Sequence, residues 1–180
     1  INICNNCRLI YLSPRPIKSS LKDCYPDNYY TSKKPNKFNL TSKLLERRYL
    51  NRLKCFSTFI NKVPTSLFEV GYGDGNFLTF LKKKWGNNCK LSGIDFKLPG
   101  KSPKLQNKIE STSLRTDDEI KFYEGDFLSI KVNQTFDVIV MYQVLEHLQN
   151  PLLICKELHS MLKKDGILVV EVPNWGSLWR

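Results

Sequence analysis

From Ser66 onward, apolar runs of strand length alternate with stretches whose apolar residues recur every three or four positions. This patterning predicts strands over 66–71, 90–95, 120–124, 136–142 and 167–172. It predicts helices over 75–85, 103–114 and 151–164 between them. Strands interleaved with helices make a parallel sheet, because each parallel crossover needs a segment long enough to carry the chain back. Val138-Ile139-Val140-Met141 and Ile167-Leu168-Val169-Val170 are apolar at every position, as strands covered on both faces must be. The expected class is therefore α/β, with a doubly wound, mostly parallel sheet. Gly86 is placed to stop its helix as a C-cap, and Asp165-Gly166 to turn the chain into the last strand.

Upstream, Leu45, Tyr49, Leu53, Phe56 and Ile60 recur at spacings of four and three. They predict an amphipathic helix from Thr41 or Ser42 to Lys62, closed by Pro64 and laid against the domain that follows. Between Pro14 and Lys37 the chain carries four of its nine prolines and several tyrosines, which suits an irregular connector. Three regions result: a leading segment and connector over 1–40, a linking helix over 41–64, and an α/β domain over 65–180.

Charge sharpens that division. Residues 1–64 hold 13 basic and 3 acidic residues, whereas 65–180 hold 15 and 14, so nearly all of the +11 belongs to the leading part. A basic segment attracts anionic partners over about a Debye length. Lysines outnumber arginines 21 to 7, and no arginine cluster interleaves with aromatics, so a solvated lysine-rich face is favoured over a nucleic-acid surface. The 180 residues suffice for one domain with a small appendage and a true core. No apolar run approaches the ~18 residues that a membrane span needs. Six dispersed cysteines and no signal peptide at the start suggest a reducing, cytoplasmic setting.

Chemistry concentrates in Glu69-Val70-Gly71-Tyr72-Gly73-Asp74-Gly75-Asn76, where a strand runs through alternate glycines into a helix. Gly71, Gly73 and Gly75 let the main chain turn and approach a ligand closely, and the helix start offers free amides. A dinucleotide fingerprint wants glycine where Asn76 stands, and a triphosphate loop wants a lysine that is missing. Glu69, two residues before the first glycine, would repel a pyrophosphate and tolerate a cation. S-adenosylmethionine fits those demands, being cationic and free of phosphate. Asp95 ends the next strand 20 residues after Gly75, the spacing of a ribose-binding acid. Asp126 follows the third strand, where it could accept from the adenine amino group while Phe127 covers the ring.

These segments together resemble the class I S-adenosylmethionine-dependent methyltransferases, from Leu67 to Pro173. The resemblance extends to Phe136-Asp137-Val138-Ile139-Val140-Met141-Tyr142-Gln143-Val144-Leu145-Glu146-His147-Leu148-Gln149-Asn150-Pro151, which is similar to the fourth-strand motif of the small-molecule branch. It implies a Rossmann-like sheet, here truncated after the fifth strand, and adds Tyr142 to the donor-binding residues. His147, beside Glu146, is the candidate base for an acceptor that must lose a proton; the alternative is that the pair braces the loop. Met141-Tyr142-Gln143-Val144 lacks the Asn/Asp-Pro-Pro-Tyr/Phe motif of base-amine methyltransferases and the Pro-Cys nucleophile of pyrimidine C5 enzymes.

Cys4 and Cys7 are spaced as half of a tetrahedral zinc site. With Arg8 to Pro16 they resemble the tail of a zinc-ribbon module that precedes methyltransferase domains in bacterial glycan and cell-envelope biosynthesis. That resemblance implies a fragment incomplete at both ends, and a small-molecule or glycan-linked acceptor methylated at a hydroxyl or a sugar carbon. Two other readings stay open. One is an NAD(P)-dependent reductase on a similar sheet, although its Tyr-x-x-x-Lys pair occurs only as Tyr29…Lys33 and Tyr30…Lys34, ahead of the glycine loop. The other is a zinc-ribbon nucleic-acid adaptor with a non-catalytic sheet.

Overall fold

A computed structural model describes residues 2–11, 13–14, 40–60, 62–96, 113–117, 120–174 and 176. The chain forms two compact units, one of 1–31 with 173–180 and one of 32–172. In the first, β1 (Asn2–Ile3) and β2 (Ile10–Tyr11) pair antiparallel, with Asn2 opposite Tyr11 and Ile3 opposite Ile10.

The second unit is built on a six-stranded sheet. Its elements are α1 (Leu40–Ser57), β3 (Ser66–Val70), α2 (Asn76–Trp85), β4 (Lys90–Asp95), β5 (Ser113–Asp117), β6 (Ile120–Glu124), β7 (Phe136–Tyr142), α3 (Pro151–Ser160) and β8 (Leu162–Glu171). The strand order is β5-β6-β4-β3-β7-β8. Five strands run parallel, and β5 alone is antiparallel, hairpinned onto β6 with Ser113 opposite Glu124. The expected doubly wound parallel sheet is therefore present.

Helices cover both faces. On one, Tyr49, Leu53 and Phe56 of α1 join Phe77, Leu78 and Leu81 of α2 over Leu67, Leu91, Val138 and Val140. On the other, Ile154 and Leu158 of α3 join Phe68, Val70, Ile139 and Met141. Alternate residues of β3 and β7 thus feed opposite cores, as the two-residue period of a strand requires. Phe56 is wholly buried, a burial that contributes about 1.5–3 kcal/mol.

Three boundaries differ from expectation. α1 stops at Ser57, five residues short of Lys62, although Ile60 still packs on the core. α3 stops at Ser160, and Lys163 and Lys164, expected in the helix, belong to β8. There the Asp165-Gly166 signal acts inside the strand: Asp165 has φ 63°, and the pairing jumps from Phe136–Leu162 to Val138–Ile167. The third difference is β5, which takes Leu114 where a helix end was expected; the rest of that predicted helix, 103–112, lies outside the described residues. Gly86 caps α2 as expected, its N–H donating to the Lys82 carbonyl.

At the amino ends of the strands, Asp137 fastens β7 to β3. Its Oδ2 accepts from the backbone N–H of Thr65 and Ser66 at 2.8 and 2.9 Å and from the Thr65 hydroxyl at 2.6 Å, while Oδ1 meets Lys163 Nζ at 3.0 Å. Partial burial alone would raise this carboxyl, but hydrogen bonds from Thr65, Lys163 and Ser66 outweigh it and hold the group at about 2.

Candidate functional site

The glycine loop sits at the carboxyl end of β3, at the centre of the sheet, where open α/β sheets place their ligands. Gly71 and Gly73 have φ of 75° and 57°, a region costly for other residues. They are needed for different reasons. A β-carbon on Gly71 would collide with Cγ2 of Val144, whereas one on Gly73 would meet nothing within 4 Å, so Gly73 presents bare backbone to open space. Between them Tyr72 turns inward, is 5% exposed, and donates its hydroxyl to the Tyr123 carbonyl at 3.2 Å. Gly75 is the N-cap of α2, and no side chain caps the helix start.

Asp95, at the end of β4, is tied into this loop. Its Oδ2 accepts from the N–H of Gly73 at 2.8 Å and its Oδ1 from that of Phe96 at 2.7 Å.

Glu69 lies below the loop, 3% exposed, and its Oε2 has no hydrogen-bond partner among the described residues. Burial raises its carboxyl to about 8, against the opposing pull of Arg52 and with a small push from Asp95. Burial thus favours the neutral carboxyl, and a cation placed beside it would favour the ionised form.

Tyr142 ends β7 on the same face. Its ring is 7% exposed, meets Phe77 edge-on at 5.4 Å, and lies 3.8 Å beneath the Arg52 guanidinium. Burial pushes the Tyr142 hydroxyl up, and that hydroxyl is unpartnered among the described residues. Arg52 reaches on to Glu171 Oε1 at 3.1 Å, which also accepts from Arg48 at 3.3 Å and Gln143 at 3.2 Å. Burial would raise Glu171, but Arg52, Gln143 and Arg48 together bring it below its usual value. A cleft of about 540 Å³ opens here, lined by Arg48, Arg52, Tyr142, Val170 and Glu171 among others.

Arg48, Arg52, Gln143 and Glu171 escape a reading of periodicity. The signal for the arginines was their i, i+4 spacing, with Arg52 flanking the stripe of Tyr49, Leu53 and Phe56. Gln143 takes φ 58°, an uncommon conformation for a non-glycine residue and a mark of a constrained site.

Other expected residues are placed differently. Asp126 folds onto its own turn, Oδ1 accepting from the Leu128 N–H and Oδ2 from the Ser129 hydroxyl, each at 3.4 Å. Phe127 is buried in the α3-side core with Phe68 and Ile94. His147 closes a short 3₁₀ turn, Leu145–His147, after β7; its Nε2 is 3.7 Å from Glu146 Oε1, and its side chain is 46% exposed.

In the separate hairpin, Cys4 and Cys7 flank the tight turn between β1 and β2, where Arg8 N–H donates to the Cys4 carbonyl at 2.9 Å. Hydrogen bonds from the Cys7 and Asn6 backbone and from the Cys7 side chain lower the Cys4 thiol. Among the described residues no three His, Cys, Asp or Glu side chains gather as a metal site. Cys24 lies outside the described residues.

Over 106 residues the chain is 23% identical to (S)-tetrahydroprotoberberine N-methyltransferase of Eschscholzia californica, covering 59% of this chain and 29% of that protein. It is 26% identical over 110 residues to trans-aconitate 2-methyltransferase of Enterobacter sp. (strain 638), covering 61% and 40%. The chain thus spans well under half the length of both. The crystal structure of the plantazolicin methyltransferase BpumL, solved with a pentazolic desmethylPZN analog and SAH, superposes over 85% of this chain and 61% of that one, with a TM-score of 0.52 at 18% identity. The methyltransferase-domain family model matches residues 42–180, from α1 through the whole sheet, and the chain belongs to that family.

Proposed function

We propose that this chain binds S-adenosylmethionine above the carboxyl ends of β3, β4 and β7 and transfers its methyl group to a small-molecule acceptor. The buried carboxyl of Glu69 under the glycine loop, whose Oε2 has no hydrogen-bond partner among the described residues, carries the reading, since a cationic donor beside it would favour its ionised form and a diphosphate would not. Family membership and the SAH bound to the BpumL structure support it.

The donor would supply a methyl group on a sulfonium, an acceptor lone pair bonding to the methyl carbon in line as its bond to sulfur breaks and the neutral thioether leaves. The residues of the chain position the two partners, the main contribution such a reaction needs. Gly71, Gly73 and Gly75 bring the backbone against the donor, Asp95 takes the ribose hydroxyls, and Glu69 faces the amino-acid end. Asp126 is in reach of the adenine side of the rim, and Tyr142 floors the crevice. His147 accepts the acceptor's proton where the acceptor has one to lose; its exposure leaves the imidazole accessible to such an acceptor.

The cleft beside Arg48, Tyr142 and Glu171 is the acceptor side. Relatives named for alkaloid amines and for trans-aconitate support a small molecule. A glycan-linked hydroxyl or carbon remains our narrower reading, supported by the Cys4–Cys7 hairpin, whose lowered Cys4 thiol suits half of a structural zinc site. The free state of all five described cysteines supports a reducing, cytoplasmic setting. No described helix is long and apolar enough to cross a membrane.

Calorimetric titration with S-adenosylhomocysteine and, separately, NADH tests the reading. Binding of the first and not the second is expected; tight nicotinamide binding without homocysteine binding overturns it.

A further inference from the structure

The cleft between α1 and the end of β8 has two unlike walls. Val169, Val170 and Val172 line it together with Tyr142, and Val170 and Val172 stand 38% and 47% exposed although they are apolar. Arg48 and Asn51 line it from α1, about one helical turn apart and both exposed. At about 540 Å³ the space is of the size that takes a small molecule.

Its charge is unbalanced. Two cations, Arg48 and Arg52, meet a single acid, Glu171, and no other charged residue is among those that line the space. Oε1 of Glu171 is already engaged, accepting from Arg48, Arg52 and Gln143 at 3.3, 3.1 and 3.2 Å. The two arginines differ in access. The side chain of Arg52 is 11% exposed, whereas that of Arg48 is 54% exposed and gives Glu171 only one amino group. A guanidinium carries five N–H donors, so Arg48 keeps donors to spare. The Tyr142 hydroxyl adds another, buried and without a hydrogen-bond partner among the described residues. An unpaired buried group costs free energy, which a ligand that accepts from it recovers. Surplus positive charge and spare donors beside an apolar wall suit a molecule with an apolar body and an anionic oxygen group. A cationic ligand would instead meet two guanidiniums and an acid already taken.

We propose that the acceptor carries, apart from the atom to be methylated, a carboxylate or phosphate group held by Arg48 and Asn51, with its apolar body against the valines. The inference rests on the placement of the acceptor in this cleft and names its chemical class. Arg48 then selects the acceptor without touching the donor. Arg52 and Gln143 still hold Glu171 when Arg48 is replaced, so the cleft keeps its framework.

The test measures phenylacetate, benzylphosphonate and the neutral phenylacetamide by calorimetry on the full chain, with and without S-adenosylhomocysteine. The acid or the phosphonate is expected to bind about ten- to hundred-fold more tightly than the amide, the worth of one charged hydrogen-bonded contact. The tighter of the two identifies the group. Arg48→Gln should remove the preference and Arg48→Lys should recover part of it, while both variants keep S-adenosylhomocysteine within about two-fold. Equal affinities for the three probes overturn the proposal, as does binding of none of them or a preference that survives Arg48→Gln. Failure of S-adenosylhomocysteine to bind the unaltered chain would overturn the donor reading instead, and the probe titrations made without it still decide the anionic group.

Discussion

Gly73 donates its N–H to Oδ2 of Asp95 at 2.8 Å, so the carboxylate expected to receive the ribose also holds the glycine loop in place. Removing it should therefore do more than delete two ribose contacts. Asp95→Ala is expected to weaken S-adenosylhomocysteine by about 1–3 kcal/mol from the lost hydrogen bonds. Asp95→Asn keeps an oxygen for Gly73 and should fall between the alanine variant and the unaltered chain. Calorimetry on the three proteins gives the order; an asparagine variant as weak as alanine would mean the loop contact counts for nothing.

Glu69 gives a dependence on pH of definite sign. Its folded value of about 8 lies above the ~4.3 of a free glutamate. The folded chain therefore keeps this proton longer than the unfolded one, and stability declines as pH rises from about 4 to 8. Glu69→Gln should remove that decline, visible as a melting temperature less sensitive to pH over this window. Binding of a cationic donor favours the ionised form, so it should release a proton near pH 7. Titrations in two buffers of different ionisation enthalpy measure the release, and the Gln variant should show none.

Asp137 predicts the opposite trend at the other end of the strands. Held at about 2 by Thr65, Lys163 and Ser66, it supports the fold above the ~3.9 of a free aspartate. That support should disappear as pH falls from about 5 to 2. Asp137→Asn should cost about 1–3 kcal/mol at pH 7 and much less at pH 2, measured by urea unfolding.

Gly71 tests the loop's packing. Its positive φ and the contact with Val144 each oppose a side chain. Gly71→Ala should destabilise by about 1–3 kcal/mol from overpacking, with strain in addition. Adding Val144→Ala should return the steric part alone. A double variant no better than the single one would place the whole cost in the backbone.

His147 separates chemistry from binding. With its side chain nearly half exposed, His147→Asn should leave S-adenosylhomocysteine affinity unchanged. Methyl transfer to an acceptor that must lose a proton should slow about 10²- to 10⁴-fold, the usual worth of a general base. Equal rates would assign the residue to bracing the loop with Glu146.

The parallel sheet and the glycine loop were legible because their signals are local: uniformly apolar strands, alternate glycines and an acid at the next strand end. The polar β5 was not, since an edge strand paired on one side needs no apolar run. Lys163 and Lys164 continue the helical pattern of α3, yet β8 begins at Leu162 because that residue pairs with Phe136 across the sheet. Phe127 follows Asp126 in sequence, and only the core around Ile94 shows where its ring goes. The Arg52–Tyr142–Glu171 cluster joins elements 90 and 29 residues apart, so no window along the chain contains it.

Because the sheet keeps its two cores apart, α1 and α2 report on one side of it and α3 on the other. Tyr142 and Phe77 both lie on the α1 side. Amide hydrogens of α1 and α2 should consequently slow their exchange with solvent when adenosyl compounds occupy the rim, while those of α3 keep their original rate, giving the domain a responsive half and an indifferent one.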